Sequence, residues 1–121
     1  MENLKELSEK QLITRADKYC KRMQKLSEMV DEYLNGKATL EECIRKEYAE
    51  LKWDLREEYS YFQNEKNDIV ERGGIYKDYQ EGILAAYAHG FKLKANAKVT
   101  IGMLNTIDDA LFDFQFYFKL K

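Results

Sequence analysis

Hydrophobic residues in the first third of the chain recur at alternating spacings of four and three. They are Leu12, Ala16, Tyr19, Met23, Leu26, Val30 and Tyr33. This spacing keeps apolar side chains on one face of an α-helix, in the heptad pattern typical of coiled coils and other helices that pack along their length. The pattern predicts a helix over residues 4–35, with Asn35-Gly36 as its C-terminal cap.

A second helical pattern covers residues 40–72. Its apolar positions are Leu40, Ile44, Tyr48, Leu51, Leu55, Tyr59, Phe62 and Ile69. Thr39 and Glu42 have the spacing of a capping box at its start, and Gly73-Gly74 is expected to end it. On the opposite side, we expect a solvent-facing acidic surface made of Glu47, Glu50, Asp54, Glu57 and Glu58.

A third helical pattern begins at Ile75 and continues to about residue 104. Gly82, Ala86 and Gly90 recur every four residues within it. Small side chains at this spacing would allow a neighbouring helix to approach closely. An alternative exists for residues 91–103, where apolar and non-apolar positions alternate as in a β-strand. The comparable length of the three patterns and the alanine content favour the helix.

The C-terminal segment LFDFQFYFKLK also alternates, with apolar residues at every even position from 112 to 120. As a strand it would pair with residues 91–103 in a hairpin. As a helix, it would begin at Thr106, with Asp108 and Asp109 in its first turn. That helix would carry apolar residues on two sides. One side would be Phe114 and Phe118. The other would be Phe112, Phe116 and Leu120.

These patterns predict an all-α fold. We expect residues 1–121 to form a single domain, an antiparallel bundle of three long helices plus a shorter aromatic C-terminal helix. The alternative is an α+β fold with a β-hairpin formed by residues 91–103 and 111–120. The absence of proline suits long helices with few, short connections.

The overall charge is nearly balanced, with 20 basic and 22 acidic residues and a net charge of −2. That balance argues against a protein whose whole surface is built to hold nucleic acid, for which an excess of basic residues is expected. The sequence contains no run long and apolar enough to span a bilayer and no signal-peptide core. Cys20 and Cys43 would be far apart along a helical hairpin, so we expect two free thiols and a cytoplasmic protein.

No catalytic or cofactor-binding constellation is evident. The one histidine, His89, has neither the Glu-x-x-His partners of a di-iron bundle nor nearby cysteines for zinc. The chain contains no phosphate-binding glycine loop and no nucleophile motif. We therefore expect a protein that is not an enzyme and that uses no metal and no cofactor.

Surplus aromatic residues suggest protein binding instead. Trp53 points away from the main apolar stripe of its helix, with Tyr61 leaning toward the same side. The candidate partner-binding residues are Trp53, Tyr61, Phe112, Phe116 and Leu120. They favour a small inhibitor, immunity or adaptor protein that occupies a partner protein's surface, a kind often encoded by phages or mobile elements. The alternatives are a homo-oligomeric structural protein and a regulator that contacts nucleic acid through Lys92, Lys94 and Lys98.

Overall fold

The computed structural model describes residues 4–37, 39–94 and 96–118, and within these ranges the protein is all-α. Its helices are α1 (Glu9–Leu34), α2 (Glu41–Phe62), α3 (Gly74–Gly90) and α4 (Ile101–Phe118), with single 3-10 turns at Leu4–Glu6, Glu65–Asn67 and Val70–Arg72. The all-α prediction is confirmed. The alternative β-hairpin is not formed within the described ranges, which contain no strand.

The four helices form a bundle in which neighbours along the chain pack side by side. Helix α1 packs against α2, α3 and α4, and α3 packs against α2 and α4. The most extensive contact joins α3 to α4, whereas α2 and α4 make almost none with each other. Helices α2 and α4 therefore occupy opposite corners of the bundle.

Helix α1 buries the apolar seam that its heptad spacing predicted. The seam residues from Leu12 to Val30 are all buried, and Asn35 caps the helix before Gly36 turns the chain with a φ of 77°. The start of α1 is a capping box that the sequence analysis missed. The Gln11 amide donates to Ser8 Oγ at 3.2 Å, and the Ser8 amide donates to Gln11 Oε1 at 2.8 Å.

The predicted bounds of α2 were wrong at its C-terminal end. The helix ends at Phe62, and residues 63–73 form irregular backbone with two 3-10 turns. The side chains of Asn64 and Asp68 accept hydrogen bonds from the amides of Lys66 and Val70. Such local bonds compete with helix formation. Ile69 nevertheless reaches the core and is fully buried.

The predicted capping box at Thr39 was also wrong. The residue that precedes α2 is Leu40, which makes no side-chain capping bond. The Thr39 hydroxyl instead donates to Glu32 Oε2 at 2.9 Å, which ties the α1–α2 connection to α1.

The predicted third long helix is shorter than expected. It ends at Gly90 as α3, and residues 101–104 belong instead to α4, the predicted C-terminal helix, after a connection formed by residues 91–100. In the described part of this segment, the odd-numbered positions point inward. Phe91 and Val99 are buried, Leu93 and Ala97 are half-buried, and the even-numbered positions are exposed. The alternating pattern therefore reflects an irregular segment that lies on the bundle, hereafter the α3–α4 connection. It contains a turn in which the Ala97 amide donates to the Lys94 carbonyl at 3.0 Å. Helix bounds of 75–104 were wrong for this reason.

Two side chains of α2 hold the α3–α4 connection in place. The Tyr48 hydroxyl donates to the Gly90 carbonyl at 3.0 Å and accepts from the Leu93 amide at 3.2 Å. The Lys52 ammonium donates to the Leu93 carbonyl. The Tyr48 ring also stacks on Phe91, with ring centroids 5.3 Å apart. The bond to Gly90 satisfies a carbonyl at the C-terminal end of α3, and the two bonds to Leu93 satisfy the backbone of the connection that follows.

Helix α4 begins five residues earlier than Thr106, the predicted cap. Thr100 Oγ1 accepts a hydrogen bond from the Met103 amide at 3.3 Å, whereas the Thr106 hydroxyl donates to the Met103 carbonyl within the helix. Helix α4 lies close to α3 because Gly82 and Gly90 leave room for it. A Cβ at Gly90 would lie 2.7 Å from the Thr106 carbonyl oxygen and closer still to the Ala110 Cβ. The predicted close approach is confirmed.

Candidate functional site

Trp53 is an exposed side chain on the outer surface of α2. Its relative exposure is 60%, and it lies on the side of the helix opposite the buried residues Leu51 and Leu55. It borders a shallow depression of about 270 Å³ together with Arg56, Glu57 and Ser60. Because none of these neighbours covers it with apolar surface, the indole ring is available to another molecule.

Tyr61, the other candidate on α2, has a different environment. Its ring is half-buried against the core and contacts Phe62 edge-on, with centroids 5.4 Å apart. Tyr61 therefore packs as part of the fold and does not share the exposure of Trp53.

Phe112 and Phe116 form a pair of exposed rings on the outer surface of α4, hereafter the α4 aromatic pair. Their relative exposures are 67% and 64%, and the rings stack with centroids 6.4 Å apart and planes inclined by 17°. Phe114 and Phe118 lie on the inner side of the same helix and are buried. Both apolar sides that the helical projection predicted are thus present. Leu120, predicted to extend the outer side, lies outside the described residues.

The surroundings of the α4 aromatic pair are acidic. Helix α4 contains Asp108, Asp109 and Asp113 and no lysine or arginine. Asp109 is exposed, Asp108 accepts a hydrogen bond from the Ser27 hydroxyl of α1 at 2.5 Å, and Asp113 contacts His89 of α3. The outer surface of α4 therefore combines two phenylalanine rings with negative charge on their N-terminal side.

Trp53 and the α4 aromatic pair do not form one surface. Trp53 points outward from α2 and the pair points outward from α4, and these helices occupy opposite corners of the bundle. The candidate residues that the sequence grouped together are therefore divided between two separate surfaces.

A groove lies between α2, α3 and the end of α4. It has a volume of about 540 Å³, and its wall includes Tyr59, Leu84, Ala88, His89 and Tyr117. Tyr117 contacts Phe116 edge-on at a centroid distance of 5.4 Å, so the groove continues into the α4 aromatic pair. His89 is exposed in this groove and pairs with Asp113 through Nδ1.

The three lysines proposed for nucleic-acid contact lie in the α3–α4 connection, not on a helix. Lys92, Lys94 and Lys98 are all exposed. Phe91, the aromatic residue that precedes them in the chain, is fully buried and stacks on Tyr48. The lysines therefore have no stacking ring from Phe91 beside them.

Glu58 is an ionisable side chain whose environment was predicted wrongly. It was expected on the solvent-facing side of α2, yet its side chain is fully buried. The Tyr79 hydroxyl of α3 lies 2.8 and 2.7 Å from the two carboxylate oxygens and donates to them, and Arg15 of α1 donates through Nε. Glu58 thereby links three helices.

Burial raises the pKa of the Glu58 carboxyl, while the charge of Arg15 and the hydrogen bond from Tyr79 oppose that increase. The same burial raises the pKa of the Tyr79 hydroxyl well above its ordinary value. A buried carboxylate of this kind normally needs both a counter-charge and hydrogen-bond donors, which Arg15 and Tyr79 supply. The cluster can be explained as a structural link. The sequence signal that could have revealed it is the position of Glu58 seven residues after Leu51, on the buried side of α2.

The remaining polar chemistry of the described residues is sparse. Residues 4–37, 39–94 and 96–118 contain no group of three histidine, cysteine or acidic side chains placed to hold a metal ion. In the same ranges, none of the helices is both sufficiently long and sufficiently apolar to cross a lipid bilayer. Cys20 is buried, Cys43 is exposed, and both thiols are free, as the hairpin geometry predicted.

The chain was compared with protein-family models, with curated proteins and with solved structures, and none of the three comparisons gave a match.

Proposed function

We propose that this chain is a small, non-enzymatic protein-binding protein that acts by occupying a partner protein's surface, in the manner of an inhibitor, an immunity protein or an adaptor. The observation that carries the proposal is the exposure of three large aromatic side chains, at 60% for Trp53, 67% for Phe112 and 64% for Phe116. All three lie on helices that already bury a complete apolar side elsewhere.

Exposure of these rings is costly unless it serves binding. Each ring leaves apolar surface in water that burial would remove at a gain of roughly 25 cal/mol per Å². Tryptophan and other large aromatics contribute most strongly to binding when a partner excludes water from them. Because the inner faces of α2 and α4 fill the core without these rings, folding does not explain their presence.

The surrounding side chains fit a role in recognition. Arg56, Glu57 and Ser60 border Trp53, and Asp108 and Asp109 precede the α4 aromatic pair. An apolar centre with polar and charged residues at its edge is the usual composition of a protein–protein interface. Two such surfaces on opposite sides would allow the protein to hold two proteins at once.

The proposal is tested by capture from a lysate of the host cell with quantitative mass spectrometry. The immobilised baits are the wild type, Trp53→Ala, the double variant Phe112→Ser/Phe116→Ser and the control Leu40→Ala. Leu40 is a matched control because it is 64% exposed but precedes α2 and belongs to neither aromatic surface.

We expect at least one protein to be retained by the wild type and by Leu40→Ala but to be lost from one of the aromatic variants. Thermal unfolding of each bait excludes loss of the fold as the cause. If all four well-folded baits retain the same proteins in the same amounts, the proposed function is wrong.

A further inference from the structure

Basic side chains from two parts of the chain meet on one side of Trp53. We call this set the basic flank, and it consists of Lys52 and Arg56 of α2 with Lys92 and Lys94 of the α3–α4 connection. The Lys52 ammonium donates to the Leu93 carbonyl, and Leu93 lies between Lys92 and Lys94 in the chain. Both of these lysines are exposed. The contact made by Lys52 therefore brings two further positive charges to the edge of α2 beside Trp53.

Arg56 joins the basic flank to the depression that contains the indole ring. It follows Lys52 by one helical turn, so the two side chains lie on the same side of α2. Arg56 also borders the depression of about 270 Å³ together with Trp53. The apolar ring and the basic flank therefore belong to one continuous surface.

The other side of Trp53 carries the opposite charge. Glu50 precedes Trp53 by three residues and Glu57 follows it by four, so both are its neighbours on the helix surface, away from Lys52 and Arg56. Both glutamates are exposed. In contrast, residues 82–107 contain no aspartate or glutamate. The connection therefore supplies positive charge to its side of Trp53 without an acidic residue of its own to offset it.

We infer that the surface around Trp53 binds a protein segment that carries carboxylates beside an apolar side chain. The apolar side chain covers the indole ring, and the carboxylates lie against the basic flank. Charge complementarity of this kind speeds association and fixes the orientation of the partner. The inference rests on the proposed function, because it names the chemistry of the protein that occupies the Trp53 surface.

An acidic protein segment fits this surface better than a single-stranded nucleic acid does. A single strand carries a negative charge at every nucleotide and stacks its bases on aromatic rings, and basic groups must follow its backbone on both sides of such a ring. On this surface the strand would pass from the basic flank toward Glu50 and Glu57, which repel phosphates. A protein segment can carry its carboxylates on one side only.

The experiment uses the fluorescence of Trp53, which is the only tryptophan in the chain. The probe is a synthetic peptide of about 15 residues, with two leucines one helical turn apart and glutamates on one side of them. The comparison peptide has glutamine in place of each glutamate. We expect the acidic peptide to change the emission saturably at low salt, with a dissociation constant on the order of 100 µM. The glutamine peptide should bind at least about tenfold more weakly.

A pair of charge reversals locates the bound carboxylates. The double variant Lys92→Glu/Lys94→Glu should bind the acidic peptide at least about tenfold more weakly. The matched control is Lys10→Glu/Lys18→Glu, which changes the net charge by the same amount at exposed positions of α1 and should keep the affinity. All four lysines are exposed, and thermal unfolding confirms that both variants remain folded.

Three results would overturn the inference. The first is the absence of a saturable change in emission up to about 1 mM acidic peptide. The second is equal weakening by the two double variants, which would mean that net charge alone governs binding. The third is tighter binding of an oligothymidylate of about 15 nucleotides than of the acidic peptide, which would make the surface a nucleic-acid site.

Failure of this inference can be distinguished from failure of the proposed function. If a protein from the lysate is lost from Trp53→Ala but the acidic peptide does not bind, the proposed function stands and the acidic partner is wrong. If the acidic peptide binds through the basic flank but all four well-folded baits retain the same proteins, the chemistry of the surface stands and the proposed function fails.

Discussion

Gly90 of α3 lies directly against Ala110 of α4, where the two helices pack closely. A side chain on Gly90 would collide with the Ala110 Cβ and would lie 2.7 Å from the Thr106 carbonyl oxygen. The collision would involve backbone and the first side-chain atom, neither of which can rotate away. The hydrogen at Gly90 is therefore a requirement of the α3–α4 contact, which is the most extensive in the bundle.

We predict that Gly90→Ala destabilises the fold by about 1–3 kcal/mol through overpacking, despite the better helix propensity of alanine. The matched control is Gly102→Ala, where an added Cβ meets only the Thr100 hydroxyl at 3.4 Å. Chemical denaturation of both variants measures the difference. Equal stability of Gly90→Ala and Gly102→Ala would show that α3 and α4 are not in such close contact.

Two phenylalanines that lie two residues apart on α4 should respond oppositely to truncation. Phe114 is fully buried and Phe112 is 67% exposed. We predict that Phe114→Ala costs about 3–5 kcal/mol of unfolding free energy, whereas Phe112→Ala changes it by less than about 0.5 kcal/mol. Denaturation at a concentration where the chain is monomeric measures both values. A reversed order would mean that α4 is rotated relative to the bundle.

The variant Tyr79→Phe tests the role of the buried Glu58 carboxylate, and its effect on the free energy of unfolding should depend on pH. Because burial raises the pKa of Glu58, the folded state keeps the carboxyl proton to a higher pH than the unfolded state does. The contribution of Glu58 to stability is thus greatest below its ordinary pKa and falls as pH rises through the raised value. The Tyr79 hydroxyl limits that fall by donating to the carboxylate.

Removing the Tyr79 hydroxyl should therefore cost about 1–3 kcal/mol where Glu58 is ionised, and less as the pH falls through the raised pKa of Glu58. The control is Tyr48→Phe, which removes a hydroxyl that bonds to the backbone of Gly90 and Leu93. Its cost should not vary in this way. Denaturation curves for both variants across that pH range measure the effect, and an identical pH dependence for the two would rule out the role given to Glu58.

The two cysteines should differ sharply in reactivity. Cys43 is exposed, whereas Cys20 is buried against α4, where the Gln115 amide lies 3.4 Å from its sulfur. Burial also raises the pKa of the Cys20 thiol, which lowers its thiolate fraction. We predict rapid modification of Cys43 and slow modification of Cys20 by an aromatic disulfide reagent. Mass spectrometry of the digested product identifies the site, and equally rapid reaction of both would contradict the packing of α1 on α4.

The features that the sequence predicted correctly depend on local spacing. The heptad seam of α1 is a repeating pattern within one helix, and burial of one face follows from it directly. The small-residue spacing from Gly82 to Gly90 likewise predicts a close neighbour, whichever helix that is.

The features that were missed depend on residues distant in sequence. The α3–α4 connection is held by Tyr48 and Lys52, whose partners Gly90 and Leu93 lie more than 40 residues later in the chain. The local pattern therefore could not decide between a helix, a strand and an irregular connection. Glu58 is buried because Arg15 and Tyr79 reach it from two other helices. The sequence around a charged residue at the edge of an apolar helix face does not show whether such partners exist.

The positions of the exposed aromatic residues follow from local spacing, but their exposure depends on residues distant in sequence. Projection onto a helix placed Trp53 opposite the apolar stripe of α2, and placed Phe112 and Phe116 on a second side of α4, as the structure has them. Whether another element of the bundle covers such residues depends on the arrangement of all four helices. The structure leaves all three exposed.

The most direct test of the proposed function is the affinity of the purified captured protein for the wild type and for Trp53→Ala, measured by isothermal titration calorimetry. A buried tryptophan anchor contributes about 2 kcal/mol or more, so Trp53→Ala should bind at least about 30-fold more weakly with its thermal stability unchanged. Equal affinity of the two proteins for that partner would contradict the role of Trp53 as a binding residue.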